Sequence, residues 1–355
     1  IWLSSSGFVT VLSLEAISSY VRDLSGSCSA VRLIGDSLFA GSHDGTLVSW
    51  DSSSGVENWR ISITGPISDI SLDSDIIYVT ASDSLHAVDQ EEGSLLWSKQ
   101  LEGASDYVLA GDGIVWATSS VYELEVADFI EATIWKFDHS GNELERWVMA
   151  ERPWHIASDG SGGIILGLGR PRCGYVRVSP KLGLEHFQLP SNSPVTCGSV
   201  NDTELIFGHA DGSVSTFEDS ILEEGSLVTS IALGPYGWIS GHEDGRISMK
   251  TKSETLPGSI DSVEIVETIG WASSFDGMNV QIMILGEEAN TIFHDSRLRQ
   301  MDSSSNGIVL GDDKGRLYFV ESEIMQRRIN SQLEEPENDS KNSDLRARLR
   351  MLRNR

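Results

Sequence analysis

Three histidines, His43, His209 and His242, stand in the Gly- and Asp-rich stretches GSHDG, GHADG and GHEDG. Imidazole is a common metal ligand at neutral pH, so three on one rim of a fold would suggest a metal site. No spacing such as His-x-x-x-His accompanies them, however, and the units that carry them are not all neighbours. Hydrogen bonding within the turns accounts for them, and no metal is expected. Asp44, Asp211 and Asp244 are likewise turn residues before they are acids, because a short carboxylate bonds the amides of its own turn. Asp159-Gly-Ser-Gly-Gly163 resembles a phosphate cradle only superficially, since it precedes the apolar run Ile164-Ile165-Leu166 rather than a helix. Gly-x-x-x-x-Gly-Lys-[Ser/Thr], Gly-x-Ser-x-Gly and His-Glu-x-x-His do not occur, and no nucleophile has a plausible base nearby. The reading is a protein that is not an enzyme, with no catalytic residues and no cofactor.

Two stretches have the composition of interaction surfaces instead. Residues 121–131 form an acidic insertion with Glu123, Glu125, Asp128 and Glu131, together with apolar Tyr122 and Phe129. Downstream lie Arg152-Pro153-Trp154-His155 and Arg170-Pro171-Arg172. An aromatic residue flanked by arginines is typical of an interface hot spot. The expected partner site is therefore Arg152, Trp154, His155, Arg170 and Arg172 with Tyr122 and Phe129. The structural alternative is that Arg170 and Arg172 pair with the insertion's carboxylates while Trp154 packs between sheets. The second stretch is the tail. Residues 322–342 read as an acidic and polar linker, and 343–355 turn basic with five Arg against one Asp. Ser343 could cap a helix whose face carries Leu345, Leu349 and Leu352. With Arg346, Arg348, Arg350 and Arg353, this amphipathic helix is expected to contact a protein, an acidic membrane or nucleic acid.

These residues must be held by something, and the scaffold is legible in a repeat. LFAGSHDGTLVSWDSSSGVENW, beginning at Leu38, reads strand, turn, strand, turn, strand, and degraded copies of it recur to residue 321. Eight units are seen: 30–61, 67–101, one beginning near Tyr107 and interrupted by the insertion, 154–189, and four centred on 207–219, 240–250, 284–295 and 307–321. In the seventh, Asn290 is read as replacing the turn glycine. From Gly45 to Gly315 is 270 residues in seven steps, or about 39 per step, the length of a four-stranded propeller blade. Seven blades remain possible with repeats averaging about 45. The fold class is all-β, a single propeller over residues 1–321. The run 1–11 repeats Trp-x-Ser-Ser-Ser-Gly and is expected to supply the outer strand that closes the ring, with 12–29 a polar connection containing one helical turn.

Composition agrees. With 34 Gly and a formal charge of −27, the propeller body is expected to repel nucleic acid and acidic membranes. No apolar run approaches the ~18 residues of a membrane span. Cys28, Cys173 and Cys197 match no zinc spacing and no Cys-x-x-Cys motif, which reads as free thiols in a reducing, cytoplasmic setting. The chain opens inside a repeat, so an upstream segment is expected.

The motifs resemble two propeller families. Gly-x-x-Asp-Gly followed by Trp50-Asp51 is similar to a WD40 repeat, echoed at Phe137-Asp138 and Phe217-Glu218. Asp51-x3-Gly55-x3-Trp59 and Asp89-x3-Gly93-x3-Trp97 resemble the tryptophan-docking motif of PQQ-like repeats. The resemblance implies a non-enzymatic scaffold whose partner face carries the loops between second and third strands. The other implied reading is a PQQ-like small-ligand, redox or assembly protein outside the cytoplasm. Quinoprotein dehydrogenases use adjacent cysteines, which this chain lacks.

Overall fold

A computed structural model describes residues 13–179, 182–201, 203–286 and 289–333. Eight four-stranded antiparallel sheets follow one another in chain order, spanning 28–62, 67–100, 104–149, 153–187, 195–222, 228–255, 259–294 and 298–321. They are the blades of a propeller, each with its first strand innermost. Seven blades take all four strands from consecutive sequence. The eighth takes its outer strand from Tyr20–Asp23, paired with Arg316–Glu321 in the register Tyr20↔Phe319. The ring therefore closes as expected in kind but through a different segment. Residues 1–11 lie outside the described residues, and part of the stretch read as a polar connection is the closing strand. Its alternation is masked by Arg22 and Asp23, so only Tyr20 and Val21 carried an apolar signal. A short helix at Leu14–Ile17 precedes it, with Ser13 accepting from the Ala16 amide.

The core lies between sheets, not within them. Leu38, Val48 and Trp50 of blade one pack on Val309, Leu317 and Phe319 of blade eight. Phe39, Leu47 and Trp59 pack on Ile67, Ile77 and Val79 of blade two. Second strands are buried almost end to end, as in Ser37–Ser42, whereas outer strands such as Glu57–Ser62 alternate with solvent. Fully burying each large apolar side chain contributes roughly 1.5–3 kcal/mol, so a blade needs both neighbours.

Every inner strand carries a β-bulge near its start, and side chains next to the bulges staple blade to blade. Ser199 accepts from Leu233 N at 3.0 Å, Ser230 from Val263 N at 3.1 Å and Asp302 from Leu33 N at 2.6 Å. The outer rim is fastened by aromatic docking. Trp59 donates its indole N–H to Gln90 O in the next blade at 2.8 Å, and Trp97 to His139 O at 3.0 Å. Any Cβ on Gly93 would meet the Trp59 ring at 2.5 Å. Tyr20 plays the same part at the closing seam, with its hydroxyl donating to Ser52 O at 2.7 Å beside Gly55. Trp147 lies over Gly183, 3.9 Å from an ideal Cβ there.

Three details differ from the sequence reading. In blade seven the turn between second and third strands is Asp276 to Asn279, where Asp276 accepts from Met278 N and Asn279 N at 2.8 and 2.6 Å. The stretch 284–295 instead holds the end of the third strand and the fourth, Ala289–His294, so Asn290 is a strand residue. The insertion of blade three is a continuation of its two central strands, Ile114–Glu123 and Asp128–Asp138, paired to their tips. The first part of the expected linker is a helix, Ser322–Leu333. The tail residues Arg346, Arg348, Leu349, Arg350, Leu352 and Arg353 lie outside the described residues.

Candidate functional site: a cleft on the loop face of blades three to six

The loops between second and third strands, and the connections between blades, share one face, here called upper. On it, the extended hairpin of blade three rises past the rest of its sheet, because the outer strand Glu143–Met149 pairs only as far as Ala132. Its tip exposes Leu124 (84%) and Val126 (61%). On its inner side Phe129 sits beside Arg152, whose guanidinium carbon lies 4.0 Å from the Phe129 ring centroid and 4.4 Å from that of Trp154. Asp106 fixes this guanidinium through a 2.6 Å ion pair. Cation–π contacts of a partly desolvated arginine contribute about 1–2 kcal/mol, so the three side chains form one rigid wall.

That wall bounds a cleft of about 540 Å³, floored by Val195, Leu227 and Val228 and rimmed by Arg170 and Asp128. Thr196 and Thr229 also line it, but their hydroxyls donate to backbone carbonyls, at 2.6 Å to Val228 O and 3.0 Å to Gly241 O respectively. The cleft is thus largely apolar, with Arg170 and Asp128 at its edge. Arg170 is exposed and has no ion-pair partner among the described residues.

Of the seven residues expected to form a partner site, four converge: Phe129, Arg152, Trp154 and Arg170 line this cleft. Tyr122 stands behind the wall, edge-on to Phe129 at 5.1 Å. Arg172 turns away and clamps Glu151 through two bonds of 2.7 and 3.0 Å. The Glu151 side chain is almost fully buried, and the clamp holds its carboxyl below the usual range. Whereas Trp154 is the extra residue of the bulge and turns to the cleft, His155, just past it, turns to blade five. It packs against Gly198 and edge-on to Phe207, and burial pushes its imidazole down to about 4. Neither carboxylate bonded to Arg152 or Arg172 belongs to the insertion, so the alternative pairing with its carboxylates is not seen, and Arg172 takes Glu151 instead. Val195, Leu227 and Val228 were missed because apolar strand starts look alike in all eight units.

The turn histidines divide. His209 and His242 are buried, His209 bonded to Ser215 Oγ at 2.8 Å and His242 to Ser226 O at 2.8 Å, while His43 is exposed. Asp159 accepts from Ser161 N and Gly163 N at 2.8 Å each, closing an ordinary turn. A cluster that sequence reasoning missed is His294, Asp295 and Asp312, drawn together across blades seven and eight. Its carboxylates already face Arg316 and Lys314. Cys28, Cys173 and Cys197 are free thiols, and burial pushes Cys28 and Cys197 up to about 12.

Deeper, inner strands of blades one, two, seven and eight bring Arg32 together with Asp69, Asp302 and Glu264. Burial, with the nearby Asp302 charge adding to it, pushes Glu264 up to about 7. A carboxyl raised in the folded state holds a proton that the unfolded chain releases near its ordinary 4.5. Its contribution to stability therefore falls as pH rises from about 4.5 to 7. Buried His155 works the other way, costing stability as pH drops below about 6.5. The expected outcome is accordingly differential. Glu264→Gln should gain stability relative to the parent as pH rises through this window, by at most about 3 kcal/mol. Urea midpoints at pH 5 and pH 8 measure it, and a constant difference would refute the assignment.

Comparison with known proteins fits this architecture. A family model described as outer membrane protein assembly factor BamB matches residues 13–151, the part that holds the docked Tyr20, Trp59, Trp97 and Trp147. Searched against curated protein sequences, the chain finds no significant match. Among solved structures, Saccharomyces cerevisiae Sqt1 superposes with a TM-score of 0.68 at 11% identity, covering 86% of this chain and 98% of that one. BamB from Moraxella catarrhalis gives 0.66 at 13%, covering 86% and 99%. The computationally designed Ika8 protein gives 0.62 at 16%, covering 84% and 97%. At such identities the likeness concerns the fold. Docked aromatics, turn motifs and ring closure together make this chain an eight-bladed β-propeller, with residues 13–151 similar to the BamB family model.

Proposed function

We propose that this propeller is a non-enzymatic scaffold that holds a protein or peptide partner in the upper cleft of blades three to six. The observation that carries the reading is the pairing of an apolar floor and a stacked Phe129–Arg152–Trp154 wall with the unpaired Arg170. An aromatic–arginine wall is what interface hot spots are made of, and on a chain of charge −27 a free guanidinium is scarce. Capture from lysate with tagged protein tests it. Trp154→Ala combined with Arg170→Glu should reduce partner recovery by about 2–4 kcal/mol of binding, or more than tenfold. Undiminished recovery by the folded double variant would sink the reading. Arg172 is unsuitable for the test because its loss strands buried Glu151. A further arm lacking residues 342–355 asks whether the basic tail adds a second contact, as its composition supports.

The second reading is an assembly role outside the cytoplasm. The family model over residues 13–151 supports it, whereas the free thiols support a cytoplasmic setting. Fractionation of the source cells separates the two, and calcium or quinone found by mass analysis of the native protein would favour the extracytoplasmic alternative.

A further inference from the structure

A second surface lies on the opposite, lower face, and a missing side chain marks it. At four successive junctions, from blade eight to blade four, an aromatic residue of one blade's outer strand lies against the next blade's turn: Tyr20, Trp59, Trp97 and Trp147. Neither blade five nor blade six has such a residue, their outer strands being Ser220–Leu222 and Ser253–Thr255, and at the junction of blades six and seven a cleft lies open. Trp59 stands opposite Ser49, the fourth residue after Gly45. The matching residue of blade six, the fourth after Gly245, is Met249, and its N–H bonds Lys252 O at 2.9 Å across a two-residue turn. Lys252 therefore occupies the tryptophan's place in the pairing, and its exposed side chain leaves the slot unfilled.

What remains is a cleft of about 290 Å³ between Ile239, Met249, Ile265 and Leu285, with Tyr236 at its mouth. Tyr236 is 82% exposed. Lys250 and Lys252 line the same cleft, are exposed, and have no ion-pair partner among the described residues, with Glu267 on the far rim. A largely apolar cleft of this volume, bordered by two ammonium groups with no ion-pair partner among the described residues of an otherwise acidic protein, has a defined complement. We propose that the slot between blades six and seven binds a partner segment presenting an aromatic side chain flanked by carboxylates, the ring entering where Trp59 and Trp97 enter their own junctions.

The proposal is independent of the upper cleft, so Trp154→Ala with Arg170→Glu should leave it untouched. The probe is a fluorescein-labelled peptide, acetyl-Asp-Glu-Trp-Asp-Glu-amide, followed by anisotropy with the full chain. Saturable binding is expected below about 1 mM. It should weaken at least about tenfold when Ala replaces the peptide's Trp or Lys replaces its acids, as loss of one buried ring or of charge complementarity predicts. Lys252→Trp fills the slot from within and should abolish binding while raising the melting temperature by about 2 °C. Lys250→Glu with Lys252→Glu, both at the surface, should weaken binding about tenfold and decides the matter if Lys252→Trp does not fold. Equal binding of the Trp and Ala peptides, undiminished binding by folded Lys252→Trp or by the double Glu variant, or no saturation by about 1 mM each overturns the proposal.

Discussion

Gly45→Ala is expected to destabilise the propeller by about 3–5 kcal/mol. Gly45 has φ +88°, and a Cβ there would lie 2.0 Å from Ile63 O and 2.8 Å from Gly65 O, both backbone atoms of the connection to blade two. The left-handed conformation alone costs an L-residue about 1–2 kcal/mol. The rest comes from pushing apart a turn that the connection cannot leave, since Ile63 N bonds Gly45 O at 2.8 Å. Gly35→Ala separates the two contributions. Gly35 has φ +57° but nothing within 4 Å of an ideal Cβ, so it should cost only about 1 kcal/mol. Urea midpoints of the two variants give the comparison, and equal losses would show that the contact with blade two plays no part.

Asp69→Ala should cost a similar amount, about 3–5 kcal/mol. Its carboxylate accepts from Arg32 Nη2 at 2.5 Å in blade one, from Ile70 N at 2.9 Å in its own blade and from Val108 N at 3.1 Å in blade three. One buried group thus ties three blades. Burial pushes this carboxyl up, while Arg32 and the two amides oppose it. Alanine would leave the Arg32 guanidinium and the Val108 amide without their acceptor. Asp69→Asn keeps an acceptor for Val108 N and should lose roughly half as much. Thermal unfolding of the two variants checks the order. If Asn proves as damaging as Ala, the charge pair dominates and the three-blade tie is secondary.

The repeat was readable because turn chemistry survives when strands drift. Asp44-Gly45, Asp211-Gly212 and Asp244-Gly245 mark the same corner in blades whose strands share little else, and blade count followed from their spacing. The first glycines of those stretches were less transparent. Gly41, Gly208 and Gly241 look like turn formers, yet they sit in second strands where a Cβ would meet Ile67, Val228 and Ile260 of the next blade at 2.3–2.6 Å. Blade seven was misphased because Gly286 followed by Asn290 imitates the corner in a single sequence. Only the carboxylate of Asp276 capturing two amides distinguishes the true one. At the upper cleft, departure from the repeat pointed to the right neighbourhood. It could not say that Arg172 would find Glu151 while Arg170, two residues earlier, would have no ion-pair partner among the described residues. That difference is set by which side of a loop each faces, and no periodicity records it.

The seam at Tyr20 and Phe319 joins positions about 300 residues apart. During translation at roughly 5–20 residues per second, the first strand waits on the order of 15–60 s for its partner to be made. Over that interval the blade-one flank carrying Leu38, Val48 and Trp50 has no sheet to cover it. The nascent propeller is consequently most prone to aggregation just before it is complete. Once the seam has formed, it is also the place where thermal or mechanical opening must start if no other blade boundary parts first.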